Sequence, residues 1–315
     1  MMQLRNCLLA LPILFGTALA ATAAPANFVY TSAGELPAAQ TILERPDIEG
    51  AQVVYNWKLL EPSQGAYDFS AIERDLALTD ALGKKLFVQV QDRFFSPEAR
   101  NIPAYLLEDA RYGGGLVQQI EEGKTEGYGW TTMQWLPAVR KRYQALLSAL
   151  AARFDGKIYG VNLPETAIDV TEDRAEAGFA CDSYFDAELE NLKAARAAFT
   201  QSVVVQYVNF WPCEWDNDHH YMSRLFDFAQ ANDIGLGGPD IVPWREGQMN
   251  NSYPFFNASK GALRIVGMAV QEPTLDYVNE ATGKPFTKAE FVEFATDYLG
   301  VDAVFWSTQT PWLQE

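Results

Sequence analysis

Residues 51–91 read AQVVYNWKLLEPSQGAYDFSAIERDLALTDALGKKLFVQVQ, and this stretch decides the fold. It opens with an apolar run, residues 51–57, rich in β-branched and aromatic side chains, which predicts a strand. Residues 70–82 carry an apolar stripe at helical spacing behind Ser70 as N-cap, and Gly83 stops them. A second apolar run, LFVQVQ at 86–91, follows at once. Strand, helix and strand in this order form a βαβ unit, whose two strands lie parallel.

The alternation continues outward in both directions. Further strands are expected at residues 27–30, 158–163, 202–208, 234–237, 264–270 and 302–306. Helical patterns cover residues 136–154, 187–199, 221–231 and 288–299, with Thr287 as a cap for the last. With no short repeat and no Pro/Ser-rich linker, eight strands and intervening helices predict an α/β fold, a single-domain (β/α)8 TIM barrel over residues 24–315. A doubly wound open sheet is the alternative, but no Gly-rich dinucleotide fingerprint follows any strand.

The first 23 residues read as a signal peptide. Arg5 supplies the positive region, residues 7–20 are apolar but short for a membrane span, and small residues follow at 18–23. A secreted or periplasmic protein is expected, with no membrane association after cleavage. Of three cysteines, Cys181 and Cys213 remain after processing. They follow the fourth and fifth strands, whose loops are neighbours at a barrel mouth, so a disulfide is expected in an oxidising compartment. The net charge of −17 repels a phosphate backbone and argues against nucleic acid as a partner. Two histidines, His219 and His220, and no G-x-S-x-G elbow speak against a Ser-His hydrolase. A metal-dependent deacetylase would need a histidine cluster that is missing. No cofactor or metal is expected.

Barrel enzymes carry their chemistry at the C-terminal ends of the strands. Glu165 ends the fourth strand and Glu272 the seventh. Two carboxyls at one mouth suit glycoside cleavage, where one protonates the leaving oxygen and the other attacks or stabilises an oxocarbenium-like centre. Crowding raises the pKa of one of them and divides the labour. Arg93, after the third strand, is a candidate partner for an ionised carboxylate. Asn162, Asn209 and Asp240 stand at other strand ends as substrate-binding candidates. All eight tryptophans lie at or just after strand ends. Trp57, Trp211, Trp244 and Trp306 are taken as sugar-stacking candidates, with Trp306 as the floor of a subsite. The long segment 96–134, containing Gly113-Gly114-Gly115 and Gly127-Tyr128-Gly129-Trp130, is read as a wall of the cleft.

The motif Trp57-x-x-x-Glu61-Pro62-x-x-Gly65-x-Tyr67-Asp68-Phe69, with the following helix, Gly83-Lys84-Lys85 and a strand, resembles clan A glycoside hydrolases, the 4/7 superfamily, and their β-galactosidase-like barrels. The resemblance implies a Glu acid/base ending strand four and a Glu nucleophile ending strand seven, which match Glu165 and Glu272. It implies retention at a β-linked oligo- or polysaccharide. It also makes Glu61 a structural residue of the loop after strand two. The chain departs from the pattern at Pro164, where the family has Asn before the acid/base. Asn162 or Asn209 is expected in its place. A non-catalytic saccharide-binding barrel is the alternative function.

Overall fold

The computed structural model describes residues 24–172 and 178–315, so the leader expected at residues 1–23 lies outside the described residues. Eight parallel strands close a barrel: β1 Ala26–Ser32, β2 Ile48–Asn56, β3 Lys85–Gln91, β4 Gly160–Leu163, β5 Val203–Tyr207, β6 Gly235–Gly238, β7 Val266–Val270 and β8 Ala303–Ser307. Each strand pairs with its sequence neighbours, and β1 closes the ring against β8 with Ala26 opposite Ala303. Among the described residues no helix is long and apolar enough to cross a membrane.

The main helices are α1 Ser70–Ala81, α2 Pro137–Phe154, α3 Cys181–Ala198, α4 Tyr221–Ala231, α5 Ser252–Ala258 and α6 Lys288–Glu293. Phe69, rather than Ser70, is the N-cap of α1, and Asp68 Oδ1 accepts from the Ser70 amide at 2.9 Å. Thr287 caps α6 in a reciprocal box with Glu290, but the chain then passes into a π-helical turn, Phe294–Leu299. α3 starts six residues before its expected beginning, and the added turn buries Tyr184 and Phe185.

Strand alternation sorts the core into two layers. Leu86, Val88 and Val90 of β3 face the helices, whereas Phe87 packs inside the barrel with Phe28, Val205, Tyr207, Ile265, Ala269 and Phe305. This inner cluster fills the N-terminal half. Above it the inward positions turn polar: Gln52, Gln89 and Asn162 are buried, and the Tyr207 hydroxyl donates to Gln52 Oε1 at 2.8 Å. β6 is almost all glycine because the barrel is tight there. A Cβ on Gly237 would stand 1.8 Å from the Gly267 carbonyl oxygen.

The long segment after β3 is ordered. It forms a three-stranded antiparallel sheet from Arg93–Phe94, Leu116–Gln119 and Gly129–Thr132 that stands over one side of the mouth. Glu61 braces the loop after β2. It is fully buried and accepts from Trp57 Nε1 and the Gly65 amide, each at 2.8 Å, and from Arg142 on α2. Cys181, the first residue of α3, is disulfide-bonded to Cys213 in the loop after β5, with Cα atoms 6.2 Å apart.

Candidate active site

Glu165 is locked by its neighbours on both sides. Gln206 of β5 donates to the Pro164 carbonyl, and the Thr166 amide donates to the Tyr207 carbonyl at 3.1 Å. Tyr184 of α3 reaches the Thr166 carbonyl at 2.9 Å. The carboxyl itself accepts from Asn209 Nδ2 at 2.8 Å. Burial pushes its pKa up to about 7; the charge of Asp240 adds to this, while Asn209 and the more distant Arg93 oppose it. The rise comes from burial first, and the charged neighbour that adds most to it is Asp240.

Asp240 follows β6. Its Oδ1 accepts from Thr274 Oγ1 at 2.6 Å and its carbonyl from the Tyr253 hydroxyl at 3.0 Å. Burial raises its pKa, and the Thr274 hydrogen bond works against that rise. Glu272 begins a short helix, Glu272–Leu275, at the end of β7, and the Ser307 hydroxyl at the end of β8 donates to its Oε1.

A cavity of about 340 Å³ opens at this mouth, lined by Tyr30, Gln89, Gln91, Phe95, Glu165, Tyr207, Pro239, Asp240, Gln271 and Pro273. Glu272 sits exposed at its rim between Gln271 and Pro273. Tyr30 ties the rim to the cavity. Its hydroxyl is held well above the usual phenol range, by burial first and then by the charges of Glu272, Asp240 and Glu165. Phe95 is 56% exposed and stacks parallel to Tyr128 with ring centroids 6.2 Å apart. Tyr128 is anchored in turn by a 2.6 Å hydrogen bond to Asp169. The aromatic face at the site therefore comes from the segment after β3. A larger hollow, about 860 Å³, lies outside β1 and β8, lined by Glu35, Arg45 and Gln314 among others, and shares no residue with the mouth.

The structure brings Glu165, Asn209 and Asp240 together, while Glu272 stands exposed at the end of β7. Other expected site residues lie elsewhere. Trp306 is fully buried, its ring against Phe291 and Trp312 and its Nε1 donating to Asn27, so it presents no face to a sugar. Its neighbours Phe305 and Ser307 point inward, and alternation sends Trp306 to the helix side. Trp57 is buried against Tyr143, and Trp211 is packed among Tyr184, Phe185 and Tyr221. Trp244 is 64% exposed but leans on Phe294 and Tyr298, outside the cavity. Asn162 is buried inside the barrel below the mouth. Arg93 does not meet either candidate carboxylate. It is buried in a cluster with Asp92 at 3.1 Å, Glu188 at 3.0 Å and Tyr184 at 2.9 Å.

Sequence reading missed Tyr30, Gln89, Gln91 and Phe95. The signal for the first three was the inward phase of β1 and β3, set by Phe28 and Phe87. Among the described residues, the one group of three or more potential metal ligands is Glu172, Cys181 and Cys213. Its sulfurs are consumed by the disulfide. His219 is exposed and paired with Asp218; the Ser223 hydroxyl donates to the His220 carbonyl at 3.2 Å, and among the described residues no serine hydroxyl bonds either imidazole ring.

No protein-family model matches the sequence, and no curated protein matches it. Its fold matches those of solved glycoside hydrolases. The catalytic domain of a β-amylase from Paenibacillus polymyxa aligns with a TM-score of 0.60 at 9% identity, over 90% of this chain and 93% of that one. A psychrophilic family 10 endo-β-1,4-xylanase gives 0.53 at 11% identity, over 90% and 86%. Xylanase A of P. fluorescens subsp. cellulosa, a mutant in complex with xylopentaose, gives 0.53 at 13% identity, over 90% and 86%. At such identities the likeness establishes the shared barrel.

Proposed function

We propose that the protein is an exported glycoside hydrolase that cleaves a β-linked oligo- or polysaccharide with retention. The observation that carries this reading is Glu165, a carboxyl at the mouth of the barrel whose burial lifts its pKa to about 7. Such a group still holds a proton near neutral pH and can deliver it to a glycosidic oxygen. In the proposed sequence Glu165 protonates the leaving oxygen while Glu272, oriented by Ser307, attacks the anomeric carbon and forms a glycosyl ester. Water then attacks that carbon, yielding its proton to Glu165 and releasing Glu272. Phe95 stacks on an apolar sugar face.

The motif around Trp57, Glu61 and Tyr67 supports the β-linked, retaining assignment by resemblance, and two of the fold neighbours are xylanases. The leader at residues 1–23 and the disulfide support export. The test is release of reducing ends from a panel of plant and bacterial polysaccharides and aryl β-glycosides. Glu165→Gln should slow release from the polysaccharides by about 10²- to 10⁴-fold. If the panel shows no hydrolysis, or the variant keeps wild-type activity on them, the reading fails.

A further inference from the structure

The charge of the cavity is one-sided. Its lining contains Glu165 and Asp240 and no lysine, arginine or histidine, and Glu272 stands at the rim. The buried guanidinium of Arg93 is spent on Asp92 and Glu188. A separate hollow of about 300 Å³, sharing no residue with the cavity, is lined by Glu122, Asp169 and Glu214, again with no basic side chain. A concave site of one sign concentrates ligands of the other sign.

Two acceptor atoms of the lining residues lack a donor. Thr274 occupies Asp240 Oδ1, and among the described residues Asp240 Oδ2 accepts no hydrogen bond. Gln89 is 4% exposed and lines the same cavity, and its Oε1 has no partner. A buried acceptor without a donor is costly until something donates to it. A neutral hydroxyl can satisfy Gln89 but leaves the Asp240 charge uncompensated. An ammonium group supplies three donors and the missing positive charge together. A bare metal ion fits less well, because among the described residues no three acidic groups of the mouth bring their oxygens within 4.8 Å of one another.

We infer that this site selects glycosides of unacetylated amino sugars, the ammonium lying between Asp240 and Gln89 beside Glu165. The inference rests on the glycosidase reading and names its substrate class. The whole chain, at −17, favours such a polycation over long range, and the Phe95 ring can face the charged sugar.

The test is calorimetric binding to the Glu165→Gln protein, which slows turnover. Its probes are the β-1,4-linked tetramer of glucosamine, the N-acetylglucosamine tetramer and xylotetraose, with glucosamine against glucose as single-charge controls. The glucosamine tetramer should bind at least about tenfold tighter than either neutral tetramer, and glucosamine tighter than glucose. Adding Asp240→Asn should reduce the preference to about twofold, through weaker binding of the cationic sugars. Equal or weaker binding of the cationic sugars, or a preference that survives Asp240→Asn, overturns the inference. Hydrolysis is scored separately on the wild-type protein: turnover of neutral β-glycosides without ammonium preference sinks this inference alone, and absence of all hydrolysis sinks the parent reading.

Discussion

The side-chain amide of Asn209 donates a 2.8 Å hydrogen bond to Glu165 Oε2 across the ends of neighbouring strands. That bond favours the ionised carboxylate, whereas burial and Asp240 favour the protonated one, and their balance leaves the group near pH 7. Activity that needs the proton on Glu165 should therefore fall as pH rises through about 7. Replacing Asn209 with Ala removes stabilisation of the charged form, so the alkaline limb of kcat/KM should move to higher pH. Replacing Asp240 with Asn removes a neighbouring negative charge and should move it to lower pH. Limbs that stay put in both variants would detach these residues from the proton.

Phe95, rather than Trp306, should meet the sugar. Phe95→Ala should raise KM about three- to tenfold with an unchanged melting temperature. Trp306→Ala should cost about 3–5 kcal/mol of stability by opening a cavity between β8 and the last helices. Melting curves and Michaelis constants of the two purified variants separate the outcomes.

The Cys181–Cys213 bond closes a loop with a sequence separation of 32. Its removal by a double Ser substitution should cost about 3–4 kcal/mol in the chain-entropy picture, measurable by urea unfolding. Thiol titration of the denatured, unreduced protein lacking residues 1–23 should find no free thiol. Two free thiols would contradict the bridge.

Glu188→Ala should destabilise the barrel by about 3 kcal/mol or more, because Arg93 would stay buried with half its ionic partners. Calorimetric melting measures this. A neutral effect would show that water reaches the cluster.

The barrel was legible because each strand had to be apolar on both faces in its lower half, and Glu165 was legible because it follows such a run directly. The phase of each strand decided the rest. In Ala303–Ser307 the pattern Phe305, Trp306, Ser307 puts the largest ring on the helix side, although its position at a strand end invites the opposite reading. Tyr30 was legible as a strand end but not as an inward one, since that follows only once Phe28 is placed inside. β6 was faint because four residues of Gly-Leu-Gly-Gly carry almost no hydrophobic signal, and their role depends on the close approach of β7. The partnership of Glu165 with Asp240 is a property of the closed ring, which no local spacing encodes.

The most direct test of the account compares leaving groups. Wild type, Glu165→Gln and Glu272→Gln are assayed on an unactivated oligosaccharide and on an aryl glycoside of the same sugar. Glu272→Gln should abolish turnover of both. Glu165→Gln should lower kcat/KM on the oligosaccharide by about 10²- to 10⁴-fold while largely sparing the aryl glycoside, whose departure needs little protonation. Equal losses on the two substrates with Glu165→Gln, or retained turnover with Glu272→Gln, would contradict the assignment of proton donor and nucleophile.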